Sequence, residues 1–135
     1  MKKYDNYKSH LRILQTSDQQ DLGNEFIIGG IIDKFFIQFE LSWKVMKELL
    51  TYDGVAAGRT GSPREIIKEA YRFYSCIDED IWLEMLSQRN NMAHIYDSNA
   101  ALELVHQIID RYIPAFLTLE KGIDERYAEV LEKLP

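Results

Sequence analysis

The segment Gln88-Arg89-Asn90-Asn91-Met92-Ala93-His94-Ile95-Tyr96-Asp97 gathers side chains of unusual chemical versatility. A histidine exchanges a proton near neutral pH. An arginine stabilises charge that builds on phosphoryl oxygens. Arg89 and His94, with Asn90 beside them, suit cleavage of a phosphodiester without a metal, the attacking 2′-hydroxyl coming from RNA itself. Arg89 and His94 lie about 140° apart around an ideal helix, so they do not share a face. Asn90 and His94 do. The long guanidinium could swing to the same groove. Alternatively, a two-fold dimer could gather two copies of each residue about its axis. Two asparagines inside a helix compete for backbone groups, a broken local rule of the kind found at functional sites. The plain structural use of the same residues is an arginine paired with a neighbouring acid, asparagines bridging helices and a satisfied helix-end histidine.

A second feature is Arg64, Lys68 and Arg72, spaced by four and so on one helix stripe, with Arg59 in the preceding loop. These four are candidate RNA or phosphate contacts. Tyr71, Phe73 and Tyr74 interleave with them and could stack on bases. Glu65 and Glu69 lie among them too, as on a solvated mixed-charge face. Glu40 reads either as a buried acid aimed at the histidine or as the surface partner of Lys44. His10 and His106 have no ligand-like neighbours, and HExxH spacing is missing. Cys76, the single cysteine, forms no internal disulfide and reads as a buried small apolar group. Neither GxxxxGK[ST] nor GxGxxG occurs. No metal and no cofactor are expected.

The elements that must position these residues are helices. Few segments alternate apolar and polar residues. A first helix is expected from Lys3 to Gln15, then a polar loop or frayed end from Thr16 to Asn24. A long helix follows from Asn24 to Thr51, with Ile28, Ile32, Phe35, Phe39, Met46 and Leu50 on one line and Trp43 to its side. Gly29 and Gly30 either precede that helix or admit close packing of another segment. Asp53 to Gly61 reads as a loop. Ser62-Pro63-Arg64-Glu65 is a helix start with cap, N1 proline and returning acid. It opens a helix to about Tyr74 with Ile66, Ile67, Ala70 and Tyr71 inward. Acids at Asp78, Glu79 and Asp80 suit the start of the next helix, whose apolar face is Ile81, Trp82, Met85 and Leu86. Asp97 or Ser98 caps a last helix, which Pro114 kinks and Gly122 ends or bends. Trp43, Trp82 and the phenylalanines read as core.

Four or five amphipathic helices with short connections make an antiparallel, up-and-down all-α bundle. The 135 residues are one domain's worth of chain. With 46% hydrophobic and 28% charged residues, the composition is that of a globular protein rather than a disordered one. A net charge of −6 argues against coating long duplex nucleic acid with the whole surface, while leaving room for a local cationic site. No signal-peptide pattern and no membrane-length apolar run occurs, so a soluble cytoplasmic protein is expected.

The order of these segments resembles a known family. Arg89, four residues, His94, one residue and Tyr96 are similar to the RX4HXY signature of HEPN domains. Phe39-Glu40-Leu41-Ser42-Trp43-Lys44, Ser62-Pro63-Arg64-Glu65, Trp82-Leu83-Glu84-Met85-Leu86 and His94-Ile95-Tyr96-Asp97 follow the order of one branch, the nucleotidyltransferase substrate-binding protein family. The similarity spans roughly Gly30 to Leu119; the first helix and Thr16 to Asn24 match poorly. The resemblance implies a single HEPN-like domain over residues 1–135, with four main helices plus a short extra one, forming a homodimer. It implies a minimal nucleotidyltransferase as partner. In related pairs the HEPN protein is a ribonuclease toxin and the nucleotidyltransferase its antitoxin. Arg89, His94 and Asn90 would then be the catalytic set and RNA the substrate. In some related systems AMP from ATP is placed on the motif tyrosine, here Tyr96, adding charge and bulk beside the site. The alternative is a non-catalytic, substrate-binding or AMP-accepting role.

Overall fold

The computed structural model describes residues 1–92 and 97–135. Helix α1 spans Lys2–Leu14 and α2 spans Glu25–Tyr52. A short α3, Ala57–Thr60, precedes α4, Pro63–Phe73, and α5, Glu79–Asn90. The last helix comprises α6, Ser98–Gln107, a π-helical segment Ile108–Tyr112, and α7, Ile113–Tyr127. No strand occurs among the described residues. The protein is an all-α helical bundle, as the periodicity requires.

Directions follow from the pairings. Helix α1 runs against α2, since Lys3 meets Glu48 while Tyr7 and His10 meet Gln38. It also runs against α7, where Tyr4 bonds Asp124 and Tyr7 bonds the Phe116 carbonyl. Phe35 stacks on Tyr112 and Tyr52 meets Tyr127, so α2 and α7 run the same way across the core. Trp82 of α5 fills the centre between Phe39 and Phe116 and is fully buried. Burying aromatic rings of this size supplies much of the apolar driving force. The polar side chains sealed among them are satisfied. Gln38 donates to the Tyr7 carbonyl at 3.1 Å and shares a 2.7 Å hydrogen bond with His10 Nδ1, and Ser42 donates to the Gln38 carbonyl. This meets the requirement that buried polar groups be paired.

Local chemistry sets most helix starts. Asn24 accepts from the amides of Phe26 and Ile27, Ser62 from Glu65, Asp78 from Asp80 and Ile81, and Asp97 from Asn99. Asp97, rather than Ser98, is the cap of α6. Glu65 returns to the Ser62 hydroxyl, 3.3 Å away.

Several expectations are corrected. Gln15–Gln19 forms a 3-10 turn that extends α1, the frayed helix end of the two alternatives, and the chain is irregular only from Gln20 to Asn24. Helix α2 begins before Gly29 and Gly30, and among the described residues a Cβ at either would meet nothing within 4 Å. The Asp53 to Gly61 stretch contains α3, which places Arg59 on a helix. It turns at Gly54, whose φ of +80° favours glycine. Tyr71 is exposed, not inward, because the α4 face is already filled by Ile66, Ile67 and Ala70. Phe26 and Phe73 are exposed and so are not core, while Trp43 is half-buried and packs against the edge of the core. Cys76 is half-buried rather than sealed. Gly122 lies inside α7 and ends nothing. Pro114 follows the π segment, whose wider turn accommodates the irregularity that a proline imposes on its helix.

Candidate functional site

Arg89 stands in the last turn of α5, where a cation meets the negative end of the helix. Asp78 fixes the start of that helix, and Trp82, Met85 and Leu86 anchor one face in the core. The resulting register turns Arg89 toward α2. Its Nε lies 2.9 Å from Glu40 Oε1, and the two side chains remain 34% and 30% exposed. Trp43 Nε1 donates to the other carboxylate oxygen of Glu40 at 2.9 Å. Arg89 Nη1 donates to Asn90 Oδ1 at 3.2 Å. The guanidinium is therefore oriented and charge-compensated, yet open to water.

Glu40 thus pairs with Arg89 rather than with Lys44. Both carboxylate oxygens are engaged across the α2–α5 seam, which leaves no reason for a bond to the neighbouring turn. Half-burial also removes its reading as a sealed acid. His94 and Tyr96, the other two motif residues, lie outside the described residues.

On the other flank of α5, Glu84 accepts from Arg111 at 2.6 Å and from the Tyr112 hydroxyl at 2.5 Å. Burial first, and that bond to Glu84 second, push the Tyr112 hydroxyl up to about 12. Gln88 reaches the same hydroxyl at 3.5 Å. The π segment presents Arg111 and Tyr112 to α5 and so braces the helix that carries Arg89. Sequence reading missed this brace. Its one local sign was Pro114, which marks an irregular helix without naming its partners.

Arg64, Lys68 and Arg72 are exposed on α4, and Arg59 is exposed on α3. Arg72 pairs with Glu69 at 3.4 Å, consistent with a mixed-charge face. Tyr71 and Phe73 beside them are exposed. Tyr74 is not available for stacking: it is buried and accepts a 2.7 Å bond from Tyr127. Among the described residues no helix is long and apolar enough to cross a membrane.

A helical bundle carrying an arginine-asparagine pair at the wet end of α5, four residues ahead of a histidine, defines a HEPN-type protein. The profile of the family described as "Nucleotidyltransferase substrate binding protein like" matches residues 1–125. The chain belongs to that family. It is also 31% identical over 123 residues to a protein of Haemophilus influenzae named "Probable ribonuclease HepT", covering 85% of this chain and 84% of that one. The family expected from the segment order is the family found.

Proposed function

We propose that the protein is a metal-independent endoribonuclease, the HEPN toxin of a pair with a minimal nucleotidyltransferase. The observation that carries this reading is Arg89 itself, held by Glu40 and bonded to Asn90, with its guanidinium still open to a ligand. The name of the Haemophilus influenzae relative supports it. The active form is a homodimer in which two Arg89 and two His94 share one cleft. One His94 takes the proton of a 2′-hydroxyl, and the freed oxygen attacks the adjacent phosphorus. The bond to the 5′-oxygen breaks, and that oxygen takes a proton from the second His94. Arg89 stabilises the charge that builds on the non-bridging oxygens, and Asn90 keeps the guanidinium aimed. The products end in a cyclic 2′,3′-phosphate and a 5′-hydroxyl. Arg59, Arg64, Lys68 and Arg72 are further phosphate contacts in this reading. The protein should cleave an oligoribonucleotide in EDTA, and a 2′-deoxy residue at the cut position should stop it. Cleavage of the deoxy-substituted strand at the same rate would overturn the mechanism.

The family description speaks of substrate binding, which supports a second reading in which the protein serves the nucleotidyltransferase as a binding component; in this reading it is non-catalytic and presents a substrate or accepts AMP itself. Tyr96 would be the acceptor. ATP-dependent mass gain in the presence of the nucleotidyltransferase, lost in Tyr96→Phe, would support it. Absence of a complex at micromolar concentrations would count against it.

A further inference from the structure

The carboxyl-terminal half of α2 borders a groove of about 500 Å³, lined along the helix by Trp43, Lys44, Lys47, Glu48 and Tyr52 and, across it, by Lys3 and Pro135. Its charge is cationic on a molecule of net charge −6. Glu48 is already engaged by Lys3. Lys44 and Lys47 take part in no ion pair among the described residues. Lys44 is exposed because Glu40, the acid one turn away, is bound instead to Arg89 and Trp43. The Lys44 ammonium lies 5.9 Å from the centre of the Trp43 ring. Tyr52 is 52% exposed at the far end. Two unneutralised ammonium groups between two accessible aromatic faces form the pattern by which proteins hold single-stranded nucleic acid: cations on phosphates, rings on bases.

The groove is continuous with the motif. Trp43 lines it and also donates to Glu40, which holds Arg89. Glu40 and Lys47 are two turns apart on one helix, about 10 Å along its axis. One strand can touch both.

We infer that this groove is a subsite for single-stranded RNA flanking the cut phosphate, with Lys44 and Lys47 on successive phosphates and Trp43 and Tyr52 stacking on bases. The inference rests on the ribonuclease reading and adds to it a binding track along α2. The strand enters along α2, past Lys47 and Lys44, and reaches Arg89 at the α2–α5 seam. The track is distinct from the α4 stripe.

The test uses the full chain carrying His94→Ala, so that RNA stays intact, and a fluorescent single-stranded oligoribonucleotide read by anisotropy over a range of salt. Lys44→Gln/Lys47→Gln should weaken binding roughly tenfold and lower the slope of log affinity against log salt by about 1.4, two phosphates' worth for a single strand. Tyr52→Ala should weaken binding with the slope unchanged. A Lys34→Gln/Lys121→Gln control, matched in charge and outside the groove, should leave both unchanged. Equal affinity and slope for the groove variant and its parent would overturn the inference, as would a loss matched by the control. In the cleaving protein the groove substitutions should raise KM more than they lower kcat. Cleavage that persists with KM unaltered rejects the groove and leaves the ribonuclease reading standing; absence of cleavage in every form rejects the ribonuclease reading.

Discussion

Glu40 holds two groups at once, the Arg89 guanidinium and the Trp43 indole N–H. An ion pair with both partners about one-third exposed contributes little to stability, roughly 0–1 kcal/mol. Its consequence is orientation. Glu40→Gln should therefore leave the melting temperature almost unmoved while cleavage falls about tenfold, with kcat dropping more than KM rises. Unchanged kcat would show that Arg89 needs no such holder. The tyrosines carry a different residue-scale consequence. Burial pushes the hydroxyls of Tyr74 and Tyr112 up to about 12, and Tyr4, Tyr7 and Tyr127 are also held well above their ordinary value, chiefly by burial. In the unfolded chain these groups lose protons near pH 10. Above that pH the folded state binds more protons than the unfolded one, so stability is full below about pH 10 and falls as pH rises toward 12. Urea midpoints should be flat up to about pH 9 and decline above pH 10. A midpoint that holds through pH 11 would contradict the burial of these rings.

At the scale of elements, a close contact joins α7 to the turn before α5. A Cβ on Gly122 would lie 2.5 Å from Cys76 Sγ and 2.7 Å from its Cβ, so the helix and the turn meet only because position 122 is bare. Gly122→Ala should cost about 1–3 kcal/mol of unfolding free energy by overpacking, measured by urea titration; no loss would mean that the turn yields freely. This contact also marks where the sequence stops being readable. Ser62, Asp78 and Asn24 announce helix starts because capping is settled within three residues. The burial of Ile66, Ile67 and Ala70 follows from spacing alone. Gly122 looks like a helix end until Cys76, far away in the chain, is placed against it. Tyr71 and Tyr74 exchange the roles that spacing suggests, because Tyr127, whose hydroxyl also donates to Asp53, claims Tyr74 from across the bundle. The candidate site divides the same way. The spacing of Arg89, His94 and Tyr96 is legible as a motif, but the acid that orients Arg89, Glu40, sits on another helix, where spacing alone pairs it as readily with Lys44.

For the whole molecule, the arrangement along α2 is directional. Its first half exposes Phe26 at 93% and Ile37 at 50%, eleven residues apart and so on nearly one stripe. Its middle holds Arg89 through Glu40, and its last half borders the lysine groove. The Phe26 ring and the Ile37 side chain, exposed on one stripe ahead of the site, are apolar surface open to the second copy that the proposed homodimer requires. Phe26→Asp/Ile37→Glu should yield a monomer in sedimentation analysis and should cut cleavage at the same time; a dimer that persists would place the interface elsewhere. In the proposed mechanism Arg89 and His94 together break the RNA chain. The most direct test is the rate of oligoribonucleotide cleavage in EDTA for the protein, for Arg89→Ala and for His94→Ala, with melting temperatures recorded alongside. Each substitution should lower the rate by about 100-fold or more while the fold persists; both variants cutting at the parent rate would contradict the account.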